Sequence, residues 1–338
     1  MEATQKCRPE FPQQAGGDVM KPAIEAKDLT KTFRDGVVAV AGLDLIVEPG
    51  AVFGLIGRNG AGKTTTLRLL AGLLRPDSGH ARVMGAELWS APRSLRQQVA
   101  YVSQNQQLPG WMRFAELERY VSHFYDSWDH SHALELARRW GIPQHRPVSR
   151  LSAGEQRQTA CVLALAARPR VLLLDEPAAG LDPVARRGLL GALIEAVASD
   201  GGCTLVVSTH LISDLERVAE HVGFMDRGRL TATARLEDLL NSTKRVQVVF
   251  DRSAPPPGFS VPGALRMEIA GPVVRAIVRL ANDEQLKPLL RLSGARVDVF
   301  PMRLEEIFVE LFDRQSDSHD KPRQGIDSAM PEVDCTLN

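Results

Sequence analysis

Three short runs stand out in the hydrophobic pattern: Val52-Phe53-Gly54-Leu55-Ile56, Val171-Leu172-Leu173-Leu174 and Cys203-Thr204-Leu205-Val206-Val207. Each is nearly all apolar and closed by turn residues, which predicts parallel strands buried on both faces. Ordered structure is expected from Ala23, with short strands between Leu29 and Val47 turning at Asp35-Gly36. Leu67-Arg68-Leu69-Leu70-Ala71 has helical spacing, and Arg75-Pro76-Asp77-Ser78-Gly79 is a breaker cluster. Strands are expected at 81–85 and 99–102, and a closing hairpin at 222–230.

The stretch 111–150 reads as helical, with Leu117, Tyr120, Val121, Phe124 and Trp128 on one face. Trp111, Phe114, Tyr120, Phe124, Tyr125 and Trp128 cluster there. Most are expected in the core of a helical subdomain, and any exposed minority would mark a partner site. Asp129 can cap a second helix at about 131–140, ending at Gly141. Ser152 and Glu155 form a capping box opening a long helix through Ala167, and Gly180-Leu181-Asp182-Pro183 starts another. Past 243 come strands at 246–250, 264–269, 273–278 and 296–300, with helices at 282–292 and 303–312. The ends, 1–22 and 313–338, lack periodicity and read as disordered tails.

Candidate chemistry gathers where these elements end. Gly57-Arg58-Asn59-Gly60-Ala61-Gly62-Lys63-Thr64-Thr65 lies between the first apolar run and a helix, the setting a phosphate-binding loop requires. Its glycines allow a concave backbone whose N–H groups, with the helix N-terminus, face anionic oxygens. Lys63 adds a point charge for β- and γ-phosphates, and the Thr64 hydroxyl can ligate Mg²⁺. Asp175 and Glu176 close a buried strand at the sheet edge where open α/β sheets bind ligands. There Asp175 would hold Mg²⁺, and Glu176 could orient or deprotonate a water. His210 ends the next strand at the same edge and can contact a γ-phosphate. Gln104, just past a strand, can reach Mg²⁺ or the attacking water, or be an ordinary loop amide. Phe33 can stack on a base or belong to a hairpin core. The Ser152 capping box is a complete structural explanation of that segment, although such a helix N-terminus also suits a γ-phosphate.

Composition narrows the partners. The 338 residues carry 41 basic and 41 acidic side chains, so a strongly basic nucleic-acid face is not implied. Cys7, Cys161, Cys203 and Cys335 are scattered, which suits buried or idle thiols better than disulfides or metal. No apolar stretch approaches 18 residues and no signal-peptide pattern opens the chain, so a membrane span is not expected.

Taken together and in this order, residues 24 to about 230 resemble the nucleotide-binding subunit of an ABC transporter. GRNGAGKT resembles the Walker A motif, Gln104 the Q-loop glutamine, and LSAGE at 151–155 the ABC signature. VLLLDE at 171–176 resembles Walker B, Gly180-Leu181-Asp182 the D-loop, His210 the H-switch and Phe33 the adenine-stacking aromatic. Ala153 and Glu155 depart from the usual LSGGQ signature, while Ser152 and Gly154 keep it.

The resemblance implies an α/β fold: a P-loop NTPase (RecA-like) core with a helical subdomain at about 105–165 and an antiparallel β subdomain. Residues 23–242 would form this nucleotide-binding domain, and 243–312 a small α+β domain. It also implies Mg²⁺ and ATP as ligands, and a head-to-tail dimer with a second copy. In that dimer Ser152, Gly154 and Asp182 would complete the opposite site. A separate polytopic membrane permease would be the partner, with the chain cytoplasmic and peripheral on the inner face of the membrane. The single cassette and the ending Met302-Arg303-Leu304-Glu305-Glu306-Ile307-Phe308 resemble the ABC-2 type export ATPases. An importer subunit would be expected to carry a longer regulatory β-domain. The alternative, an ABC ATPase acting on ribosomes or DNA, commonly brings two cassettes, a coiled coil or a zinc insertion.

Overall fold

The structure, a computed structural model, describes residues 21–310 apart from 200, 201, 252, 253 and 281. The tails expected at 1–22 and 313–338, with Cys7 and Cys335, lie outside the described residues except for Lys21 and Pro22. Strands β1 (Ile24–Thr32) and β2 (Val38–Val47) form the antiparallel hairpin expected around Asp35-Gly36. Phe33 N donates to Val37 O at 2.9 Å across the turn, and Gly36 supplies the positive φ it needs. Next come β3 (Val52–Ile56) and helix α1 (Lys63–Leu70), then β4 (Ser78–Val83), which joins β1 to complete a three-stranded sheet ordered β2-β1-β4. After a short turn of helix, α2 (Arg93–Arg96), the chain enters β5 (Val99–Val102).

The helical region holds α3 (Phe114–Ser122), α4 (His130–Arg139) and α5 (Ala153–Ala166). Asp129 caps α4 by accepting from His132 N at 2.8 Å, as its position predicts. The aromatic expectation is corrected here. Phe114 is buried, but Trp111 is 77%, Tyr120 49% and Phe124 56% exposed. Helix α3 stops at Ser122, where Phe124 N turns back to Val121 O, so Phe124 lies beyond its end, whereas Val121 and Trp128 pack on the core as expected. The fully buried residues of that core are aliphatic, Leu117, Val148, Leu151 and Leu163.

The centre is a six-stranded sheet. Beside β3 and β5 it contains β6 (Val171–Asp175), β7 (Thr204–Thr209), β8 (His221–Asp226) and β9 (Arg229–Arg235). The order is β5-β6-β7-β3-β8-β9, parallel except for the β8–β9 hairpin. Every residue of β3, β6 and β7 is buried, which is why their sequences run apolar without alternation. Helices α6 (Pro183–Ser199) and α7 (Ile212–Leu215) follow β6 and β7. Because β3, β6 and β7 are parallel neighbours, Gly57, Glu176 and His210 emerge at one sheet edge. Cys161 and Cys203 are buried free thiols, and burial pushes the Cys161 pKa up to about 12.

Helix α8 (Leu236–Ser242) runs directly into β10 (Thr243–Phe250). With β11 (Ala264–Ala270), β12 (Val273–Arg279) and β13 (Ala295–Pro301) it forms an antiparallel sheet ordered β11-β12-β10-β13. The helix expected at 282–292 is instead a 3₁₀ turn, Asp283–Leu286, followed by α9 (Lys287–Leu290). Pro288 starts that helix afresh, because it lacks the N–H to continue a preceding one. Helix α10 (Leu304–Phe308) ends the described chain, and Phe308 stacks on Phe224 of β8 with ring centroids 5.8 Å apart. Ile277, Met302, Leu304 and Ile307 belong to the same apolar core as β6 and β7, so this unit is packed onto the first sheet.

Candidate functional site

The loop from Gly57 to Gly62 is wedged between β2 and β8. A Cβ on Gly57 would lie 2.4 Å from Met225 O, and one on Gly62, at φ 104, would lie 2.2 Å from Ala39 O. Only glycine fits at these two points, which fixes the loop's course. Helix α1 begins at Lys63 with no side-chain cap, leaving its first N–H groups aimed at the loop's hollow. Lys63 folds back over the loop. Its Nζ donates to Gly57 O at 2.7 Å and to Arg58 O at 3.2 Å, and lies 3.3 Å from Glu176 Oε1. Arg58, Asn59 and Gly60 are exposed at the loop's tip, and Thr65 is half-buried behind it. Phe33 is 40% exposed at the end of the hairpin whose Ala39 touches the loop.

Asp175 is buried and held from three strands or helices at once. Its Oδ1 accepts from Thr64 Oγ1 at 3.0 Å and from Ser208 Oγ at 2.7 Å. Its Oδ2 accepts from the Tyr101 hydroxyl at 3.3 Å. Burial raises the Tyr101 pKa, with the Arg68 hydrogen bond acting the other way, so the phenol keeps its proton and remains a donor. Glu176 sits at φ 48, outside the ordinary range for its residue type. Its N–H donates to both the carbonyl and the hydroxyl oxygen of Ser208, each at 3.1 Å. Its Oε2 lies 2.8 Å from Nδ1 of His210, which donates when protonated there and leaves Nε2 for another partner. Oε1 is buried without a hydrogen bond.

These donors fit a nucleotide with its metal. Thr64 and Asp175 present two hard oxygens to one point, as Mg²⁺ prefers when phosphates supply the remainder. Among the described residues, three or more His, Cys, Asp or Glu side chains do not converge as a metal cage.

Other expected residues lie elsewhere. Gln104 is exposed in the turn after β5, and no hydrogen bond among the described residues brings it to Asp175 or Thr64. Ser152 is exposed at the start of α5, in the expected capping box. It accepts from Glu155 N at 3.2 Å, and Glu155 Oε2 accepts from Ser152 N at 2.7 Å. The carboxylate at 155 is therefore engaged in the cap. Gly154 lies against Leu181, where a Cβ would be 3.2 Å from Leu181 Cδ2. Asp182 caps α6 by accepting from Val184 N and Ala185 N at 2.9 and 3.0 Å, which holds its carboxyl below the usual range.

A family model described as ABC transporter matches residues 40–179. ABC transporter ATP-binding protein YtrB of Bacillus subtilis (strain 168) is 31% identical over 296 residues, covering 86% of this chain and 98% of that one. This chain belongs to the ATP-binding proteins of ABC transporters. Nod factor export ATP-binding protein I of Rhizobium etli is 31% identical, across 87% of this chain and 94% of that one. Daunorubicin/doxorubicin resistance ATP-binding protein DrrA of Streptomyces peucetius is 34% identical, across 65% and 67%. The solved ATP binding subunit of an ABC transporter superposes with a TM-score of 0.57 at 27% identity, covering 64% of this chain and 91% of that one. As a member of this family the chain is an ATP-binding ATPase subunit whose hydrolysis is coupled to transport.

Two residues of this ATPase site were not singled out by the sequence. Tyr101 reads as an ordinary strand aromatic, and the signal that finds it is the β5–β6 pairing that sets Tyr101 beside Leu173. Ser208 precedes His210 by two residues, and the Asp175–Ser208 register explains how it holds the carboxylate of Asp175 and the backbone N–H of Glu176.

Proposed function

We propose that this subunit binds Mg²⁺ and ATP between two copies of itself and energises a separate membrane permease, exporting its cargo. One observation carries the reading: Thr64, Asp175, Glu176 and His210 meet at one sheet edge directly beside Lys63. Lys63 and the α1 N-terminus bind the β- and γ-phosphates, with Gly57, Arg58, Asn59, Gly60, Ala61, Gly62 and Thr65 shaping the cradle. Thr64 and Asp175 would hold Mg²⁺, with Gln104 as a further ligand. Bound Mg²⁺ neutralises charge across the phosphate oxygens. Glu176 accepts the proton of the attacking water, His210 presents its free ring nitrogen to the γ-phosphate, and Phe33 stacks on adenine.

Ser152 and Gly154 make no hydrogen bond to this chain's own phosphate loop, which supports their use on the nucleotide of a second copy, with Asp182 beside them. ATP then acts as a population switch, since only the closed dimer lets it touch both copies. Residues 23–242 are read as the nucleotide-binding domain and 243–312 as its appended α+β domain. Among the described residues no helix is long and apolar enough to cross a membrane. The permease is read as a separate chain, with this subunit peripheral on the inner face of the membrane. Trp111, Tyr120 and Phe124 offer it an exposed aromatic surface. Export is favoured by the likeness to relatives named for Nod factor export and drug resistance.

The test uses tagged Glu176→Gln expressed in its native host, with membranes extracted in mild detergent and ATP. Co-purification of a stoichiometric polytopic membrane protein supports the reading. Recovery with ribosomes or DNA-bound proteins instead would overturn it.

A further inference from the structure

Arg157 lies one helical turn into α5, five residues after Ser152. Its Nη1 donates to the main-chain carbonyl of Glu176 at 2.9 Å. The guanidinium is half-buried, and among the described residues no carboxylate pairs with it. A cation in that setting usually takes an ionic partner, because desolvation otherwise goes uncompensated. Here it is spent on one backbone oxygen of the residue that carries the reactive carboxylate.

Glu176 needs such support. Its φ of 48 is a conformation that a non-glycine residue keeps only when neighbours impose it. Ser208 of β7 fixes the N–H side of the residue. Arg157 fixes the carbonyl side, and it does so from a helix of the other subdomain. We infer that Arg157 is a positioning residue that ties the backbone of Glu176 to the turn bearing Ser152 and Gly154.

The inference rests on the proposed function, in which Glu176 is the base and the start of α5 meets the nucleotide of a second copy. Under that arrangement, phosphate contact at Ser152 fixes the first turn of α5. That turn holds Arg157, and Arg157 holds the Glu176 that serves this chain's own nucleotide. One helical turn and one hydrogen bond then link the two ATP sites of a dimer.

The experiment compares wild type, Arg157→Met, Arg157→Lys, Glu176→Gln and the Arg157→Met/Glu176→Gln double variant. It measures kcat, KM, affinity for a fluorescent ATP analogue, and melting temperature. Arg157→Met keeps the aliphatic stem and should lower kcat about tenfold, with nucleotide affinity within about twofold of wild type. Arg157→Lys can still donate to the carbonyl and should recover most of the loss. In the Glu176→Gln background the Met substitution should cost less than about twofold more, because the carboxylate it positions is already gone. Equal fractional losses in both backgrounds, or wild-type turnover by Arg157→Met, would overturn the inference. So would an equal loss in Arg157→Lys and Arg157→Met accompanied by a lowered melting temperature, which marks a purely structural role. Wild-type turnover by Glu176→Gln alone is a separate outcome: it removes the base assignment and the inference with it.

Discussion

Nδ1 of His210 lies 2.8 Å from Oε2 of Glu176, joining the carboxyl ends of two adjacent buried strands. The carboxylate is thereby oriented from one side by the ring and from the other by the Lys63 ammonium at 3.3 Å. On the proposed function, a carboxylate held this way takes the proton of the attacking water. Glu176→Gln should keep ATP binding while turnover falls by at least about tenfold, since such proton transfer contributes about 10²–10⁴-fold. Steady-state phosphate release together with equilibrium nucleotide binding separates the two effects.

Lys63 is buried and already uses its protons on Gly57 O and Arg58 O. Phosphate oxygens offer it stronger, charged acceptors, with each such hydrogen bond contributing about 1.5–3 kcal/mol. Lys63→Ala should weaken nucleotide binding about 10–100-fold by calorimetry. Unchanged affinity would contradict the phosphate-loop assignment.

The oxygens of Asp175 are fixed by Ser208 at 2.7 Å and by Tyr101 at 3.3 Å. Supporting contacts of this kind typically change metal affinity about 10–100-fold. Ser208→Ala should therefore raise the Mg²⁺ concentration needed for half-maximal ATP binding about tenfold. Tyr101→Phe, losing the longer bond, should shift it less. Mg²⁺ titrations of fluorescent ATP binding, without turnover, provide the readout.

Asp129 gives a pH-dependent prediction. Its carboxylate accepts from His132 N and from Arg168, and both hold its pKa below the ordinary value in the folded chain. A folded pKa below the unfolded one means stabilisation that is present above the unfolded value, near 3.9, and lost as pH falls through the folded value. Asp129→Ala should cost about 1 kcal/mol at pH 7 through loss of the cap. The gap to wild type should narrow in denaturant melts below about pH 4, and a constant gap would rule the ionised cap out.

The sequence made the central sheet legible because β3, β6 and β7 are buried on both faces, and full burial leaves an apolar run. It made the caps at Ser152 and Asp129 legible because their bonds are local, three residues away. It placed Asp175, Glu176 and His210 at strand ends and Lys63 where the loop after β3 enters a helix, and the parallel register brings these points together. Long-range polar contacts were harder to read. Tyr101 reaches Asp175 across 74 positions and Arg157 reaches Glu176 across 19, and no local pattern records either. Apolar spacing from Leu117 to Trp128 suggested a continuous helix face, but spacing does not say where a helix stops, and α3 stops at Ser122. Ser152 shows a further limit: its capping bond explains the segment fully, so its second use needs a partner copy to be seen.

The most direct test of the account is the mass of Glu176→Gln in solution, measured by light scattering with and without Mg²⁺ and ATP. The account predicts the 37.0 kDa chain as a monomer without nucleotide and a species of twice that mass once ATP is bound. Ser152→Arg should keep binding ATP but stay monomeric. A Glu176→Gln protein that remains monomeric while demonstrably saturated with ATP would contradict the shared, two-copy site.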